Sequence, residues 1–133
     1  MKGACHCGAV TLDVELSEGL ATARRCDCSF CRMRGAVTVS APRDGLRVVT
    51  GAEHLALYQF GTRRAEHYFC RLCGIYTHHR RFSNPDEYGV NVAILVGHSP
   101  FDFDTILVLD GQNDPAGTST EPVVGTLTYK AHK

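Results

Sequence analysis

No excess of charge of either sign marks this chain: Lys and Arg number 14, and so do Asp and Glu. A neutral chain has no overall field to draw it to nucleic acid or an anionic membrane, so neither is expected as a partner. Long apolar runs are missing too. Apolar stretches such as residues 93–96 and 106–109 fall far short of the roughly 20 residues a bilayer-spanning helix needs. The opening Met-Lys-Gly-Ala-Cys has no apolar stretch of secretory-leader type, which makes the cytoplasm the expected location. Internal repeats and linkers are also absent. At 133 residues the expectation is one domain, 1–133, long enough to bury a real core.

Helical periodicity is scarce. One helical turn is expected, running from Ser29 through Arg34 before Gly35. The rest reads as β. Residues 10–16 alternate Val and Leu with Thr, Asp and Glu, a half-buried strand by its period of two. Further strands are expected at 36–41, 46–50, 55–60, 65–69, 75–78, 88–95 and 105–109. Pro42 and Gly45 mark a turn, and Gly61-Thr62-Arg63-Arg64 reads as a hairpin loop. Residues 111–122 are Gly, Asn, Asp, Pro, Ser and Thr with little to bury, and read as a surface loop or mobile tail segment. Residues 123–129 alternate again, as a last strand or an arm on a partner subunit, which leaves a homo-oligomer open.

The chain is rich in cysteine. All seven lie in three short clusters: Cys5-His6-Cys7-Gly8, Cys26-Asp27-Cys28-Ser29-Phe30-Cys31 and Cys70-Arg71-Leu72-Cys73-Gly74. An odd count and a reducing location both disfavour disulfides, and close spacing favours metal. All-sulfur ligands suit zinc. The first and third clusters each end in Cys-Gly, where glycine lets the backbone turn and aim amides at sulfur. Two such hooks make one closed site from Cys5, Cys7, Cys70 and Cys73, a structural zinc that staples the fold.

Cys26, Cys28 and Cys31 remain. Three ligands and one exchangeable position are the layout of a catalytic zinc. The competing reading is a second structural zinc completed by His6, His67, His78, His79 or Asp27. His78 and His79 are neighbours in an expected strand, point to opposite faces and cannot readily share a metal. Arg24, Arg25, Arg32 and Arg34 flank the middle cluster and are candidates to bind carboxylates, against the plain alternative of solvated surface charge. His98 as a proton donor, Tyr76 as a pocket wall and the Asp102/Asp104 pair are weaker candidates. Ser29 and Ser99 have no nucleophile-elbow context.

Gly3-Ala-Cys-His-Cys-Gly-Ala-Val10, Cys26-Asp-Cys-Ser-Phe-Cys-Arg32, His67-Tyr-Phe-Cys-Arg-Leu-Cys-Gly74, and Ser83-Asn-Pro-Asp86 followed by Val90-Asn-Val92 together resemble the glutathione-dependent formaldehyde-activating enzymes and centromere protein V-like proteins, over roughly residues 3–110. The resemblance implies zinc-stapled antiparallel β-sheets of the Mss4-like, or β-tent, type. It implies two zinc ions per chain, one structural on Cys5, Cys7, Cys70 and Cys73 and one catalytic on Cys26, Cys28 and Cys31. It further implies a small-molecule thiol partner, glutathione, and a carbon–sulfur lyase or synthase reaction giving S-hydroxymethylglutathione from formaldehyde. A non-catalytic zinc-stapled module that binds a protein or a thiol is the alternative.

Overall fold

A computed structural model describes residues 1–132. Among these residues eleven strands and one short α-helix follow in chain order, with four single 3-10 turns between strands. The strands are β1 (Lys2–Ala4), β2 (Thr11–Val14), β3 (Arg24–Cys26), β4 (Thr38–Pro42), β5 (Leu46–Thr50) and β6 (Leu55–Tyr58). They continue as β7 (Glu66–Cys70), β8 (Tyr76–Arg80), β9 (Glu87–Asn91), β10 (Thr105–Leu109) and β11 (Val123–Thr128). The helix α1 (Cys31–Arg34) lies between β3 and β4. The fold is mainly β, as the alternating pattern requires.

Two sheets form. One has three strands in the order β1-β2-β5, and the other has eight in the order β11-β10-β3-β4-β9-β8-β7-β6. The strand pairs are antiparallel apart from β3 and β10, which run parallel with Leu109 opposite Cys26. Gly3 of β1 bridges to Leu95, in the segment that follows β9, which holds the small sheet against the chain leaving the large one.

The core is built from strand faces of both sheets. Leu12 and Val14 of β2 meet Val39 and Ala41 of β4 and Val90 of β9, with Val92, Ile94 and Leu95 behind them. Leu12 and Leu95 are fully enclosed, and each such side chain contributes on the order of 2 kcal/mol. β4 is buried on both faces. Val39 and Ala41 point into the core, so Thr38 and Ser40 point the other way. That second face becomes the floor of the candidate site.

The expected strands are present with small shifts at their ends. The turn at 42–45 has a different role from a hairpin: Arg43–Gly45 carries the chain from the large sheet into the small one, and β4 and β5 do not pair. The strand expected over 88–95 stops at Asn91, whose side chain accepts the Ala93 amide and turns the backbone into a tight helical turn over Val92–Ile94. β1 and β3 have no alternating apolar residues and were not legible.

Candidate functional site

The first and third cysteine clusters occupy equivalent loops, one between β1 and β2 and the other between β7 and β8. Their backbones match. Cys5 N–H donates to Val10 O at 3.0 Å, and Cys70 N–H donates to Ile75 O at 2.9 Å. Gly8 and Gly74 both sit at φ +78°, a left-handed turn that favours glycine. The two hooks bring Cys5, Cys7, Cys70 and Cys73 together, with all four sulfurs within 4.8 Å of one another. Cys5 Sγ lies 3.7 Å from Cys7 Sγ, which lies 3.8 Å from Cys70 Sγ. A tetrahedron with Zn–S bonds of about 2.3 Å has edges of about 3.8 Å, so the donor set fits zinc. The amides of Cys7 and Ile75 hold the Cys73 thiol down at about 6, ready to ligate as a thiolate. This cluster could hold a metal that ties the small sheet to the large one.

The middle cluster is separate. Cys26 ends β3, Cys28 sits in the following loop, and Cys31 begins α1. Their sulfurs also lie within 4.8 Å of one another, and among the described residues no histidine or carboxylate joins them. The alternative ligands are engaged elsewhere. Asp27 Oδ1 accepts the Gly111 amide at 2.7 Å, and His67 Nδ1 is 3.1 Å from Arg34 Nη1. His79 Nδ1 is 2.5 Å from the Tyr76 hydroxyl, and His78 Nδ1 is 2.9 Å from the Thr77 hydroxyl. His6 is exposed beside the first cluster.

Local donors favour thiolates here. Cys28 N–H donates to Cys26 Sγ at 3.4 Å, and Cys31 N–H donates to Cys28 Sγ at 3.2 Å. The Cys28 thiol is pulled down to about 2, first by its Cys26 and Cys31 neighbours and then by backbone amides, while Cys28 and Cys31 push Cys26 up. Sulfurs this close cannot all ionise unless a cation sits among them, so this set also fits a metal.

These three sulfurs open onto a cavity of about 540 Å³. That size is in the range of small-molecule sites. Arg24, Arg32, Arg34 and Arg81 supply positive charge around it, and Phe60, Phe82, Ala36 and Ala65 supply apolar wall. Thr38, His67 and His79 also line it. Cross-strand register explains this floor: Tyr58, His67, His79, Gly89 and Ser40 stand opposite one another across β6, β7, β8, β9 and β4. Gly89 has no side chain, and a Cβ there would sit 2.3 Å from His79 Cε1, so the His79 ring leans over it.

Three of the four expected arginines line the cavity. Arg25 does not: Arg24 and Cys26 share one face of β3 and Arg25 points to the other. Its guanidinium lies against Gly35 at the end of α1, 3.4 Å from where a Cβ would be. Arg34 is held on all sides, with its guanidinium carbon 3.7 Å from the Tyr76 ring centre and 4.6 Å from that of Phe30. Arg81 was missed. It is 7% exposed, its Nε lies 2.9 Å from Glu87 Oε1, and Arg24 Nη2 reaches the same oxygen at 3.7 Å. Its position two residues beyond His79, at strand period just past the end of β8, was the available signal. His98 does not line the cavity, and Asp102 caps a turn by accepting the Ser99 amide at 2.9 Å. His78 stacks on Tyr68 on the face away from His79.

Burial sets the charge of the floor. The His67 imidazole is pushed down to about 4 by burial and then by Arg34, and burial holds His79 well below its ordinary value. Both are neutral near pH 7, so the arginines are the cations facing the cavity.

A β-sheet protein with one closed four-sulfur cluster and one three-sulfur cluster opening on a cationic cavity is the class these features define. The chain belongs to the family described as glutathione-dependent formaldehyde-activating enzyme, whose pattern matches residues 1–104. A provisionally named glutathione-dependent formaldehyde-activating enzyme of Halomonas elongata is 39% identical over 82 residues, covering 55% of this chain and 51% of that protein. The chain thus matches about half the length of that curated relative. A crystal structure of a Rhodobacter sphaeroides protein superposes with a TM-score of 0.76 at 70% identity, covering 77% of this chain and 94% of the other. Among the described residues no helix is long and apolar enough to cross a membrane.

Proposed function

We propose that the chain is a zinc-dependent carbon–sulfur lyase or synthase that joins glutathione to formaldehyde as S-hydroxymethylglutathione and cleaves the same adduct. The observation that carries this reading is that Cys26, Cys28 and Cys31 open directly onto a cavity rimmed by Arg24, Arg32, Arg34 and Arg81. A zinc ion held by the three cysteines would supply a cationic position at which an incoming thiol is bound as its thiolate. The same reading makes Cys5, Cys7, Cys70 and Cys73 the structural zinc site.

The chain's own residues do the remaining work. Glutathione carries two carboxylates, and Arg24 and Arg32 on the cavity wall are forks for them. Arg34 offsets the net charge of about −1 that three thiolates leave on a divalent ion. Phe60 and Phe82 narrow the space available to water. In the synthetic direction the glutathione sulfur donates its electron pair to the formaldehyde carbon. A C–S bond forms, the C=O π pair moves to oxygen, and water supplies the proton that makes the hydroxyl. The thiol proton is lost to solvent on binding, so atoms and charge balance. Holding two small reactants together lowers the entropic part of the barrier.

The test is zinc content by elemental analysis together with the rate of adduct formation followed by exchange NMR. Two zincs per chain and a rate above the uncatalysed reaction, lost in Cys28→Ser, are expected. Full zinc content with no acceleration overturns the catalytic reading and favours a binding module.

A further inference from the structure

The family match ends at residue 104, yet the middle cluster is built partly by residues beyond it. β10 lies alongside β3 with Leu109 opposite Cys26, and the ladder continues one step further where Asp27 N–H donates to Leu109 O at 3.2 Å. The chain then folds over the cluster. Gly111 N–H donates to Asp27 Oδ1 at 2.7 Å, and Gln112 Nε2 donates to Asp27 O at 3.2 Å. Asp27, the residue between two of the three sulfur donors, is therefore held through three hydrogen bonds by a segment 82 to 85 positions away.

Contact is close. A Cβ on Gly111 would lie 2.3 Å from Cys26 Sγ, 2.7 Å from Cys28 Cβ and 2.9 Å from the Cys28 amide nitrogen. Two of those neighbours belong to the loop itself and cannot swing away. Gln112 and Pro115 then line the cavity beside the sulfurs. The segment expected as a loop or mobile tail thus begins as a wall of the site.

We infer that Gly111, pinned by Asp27, positions the three-sulfur cluster, and that Gln112 beside it forms the wall that sets which thiol fits there. The wall's selectivity rests on the thiol reading above, whereas the positioning of the cluster does not. Gly111 acts through Cys26 and is a positioning residue; Gln112 is a specificity-determining one.

The experiment uses the full zinc-loaded chain, Gly111→Ala and Gln112→Ala. Zinc affinity is read by chelator competition, and thiol affinity by calorimetry with glutathione and with 2-mercaptoethanol. Gly111→Ala is expected to weaken one of two zincs at least ten-fold and leave the other unchanged. Gln112→Ala adds no bulk, so it guards against a folding defect. It is expected to keep both zincs and to shift the ratio of glutathione to 2-mercaptoethanol affinity at least three-fold. Gly111→Ala with both zincs at unchanged affinity overturns the positioning role, and an unmoved thiol ratio in Gln112→Ala overturns the selectivity role. An unaltered chain that binds neither thiol sinks the function proposed above and the selectivity with it, while the zinc loss in Gly111→Ala still decides the positioning.

Discussion

Arg34 Nη2 donates to Cys31 Sγ at 3.5 Å while its guanidinium carbon sits 3.7 Å over the centre of the Tyr76 ring, which ties one sulfur of the open cluster to the buried floor of the cavity. A donor to a ligating sulfur fixes its orientation and draws off part of its charge. Arg34→Met is expected to weaken metal binding at the middle cluster about 10-fold or more, the usual range for such outer partners, and to leave the first cluster unaffected. Chelator competition on the two sites reads this. Arg34→Lys should restore little, because an ammonium cannot both stack on the ring and reach the sulfur. Equal affinities in all three proteins would show that the contact is incidental.

The two clusters should separate in stability. Cys5 and Cys7 belong to the small sheet's hairpin, whereas Cys70 and Cys73 belong to the large sheet. Losing one ligand there unties the layers, whereas losing Cys28 opens a site at the surface of one sheet. Cys73→Ser is therefore expected to lower the melting temperature sharply, with a loss of several kcal/mol. Cys28→Ser should melt close to the unaltered chain. Equal melting temperatures in the two variants would mean that the division into staple and open site is wrong.

Much of this was legible because the signals were local. The Cys-x-Cys-Gly and Cys-x-x-Cys-Gly hooks each carry their sulfurs, turn and amides within a few residues, so spacing and a glycine in each pointed to the first and third clusters together. The strands that alternate apolar and polar residues were legible for the same reason. β3 was not. Arg24, Arg25 and Cys26 bury no apolar residue, and the strand exists because β4 and β10 pair with it from either side. Gly111 left no local trace either, since its reason lies with Cys26, 85 positions away. Arg81 stands between these cases: its place on the His79 face follows from strand period, but its partner Glu87 comes from the next strand.

The arginines offer a paired test. Arg24 lines the cavity, and Arg25, its neighbour in sequence, lies on the opposite face of β3. Under the proposed function, Arg24→Gln should raise the Kd for glutathione roughly 10-fold, the scale of one charge-assisted hydrogen bond. It should leave the affinity for 2-mercaptoethanol, which has no carboxylate, near its original value. Arg25→Gln should change neither. Calorimetric titration of both thiols against both variants reads the result, and an equal effect of the two substitutions would place the carboxylates elsewhere.

His78 supplies a pH dependence that is independent of the sulfurs. It is buried between Tyr68 and Tyr88, and burial pushes its imidazole down to about 4. In the unfolded chain it titrates near 6.5. Between those values the unfolded state binds a proton that the folded state refuses, so unfolding becomes easier as pH falls. The stability is fully present above about 6.5 and is lost as pH drops toward 4, at roughly 1.4 kcal/mol per pH unit for this one group. Acid also protonates thiolates, which adds to the loss wherever metal is bound. His78→Gln separates the two, because the amide can still meet Thr77 and has no proton to gain. Denaturant unfolding at pH 7, 6 and 5 should show the unaltered chain losing more stability than His78→Gln at each step. Parallel curves for the two proteins would mean that acid acts through the cysteine clusters and the buried His67 and His79, and not through His78.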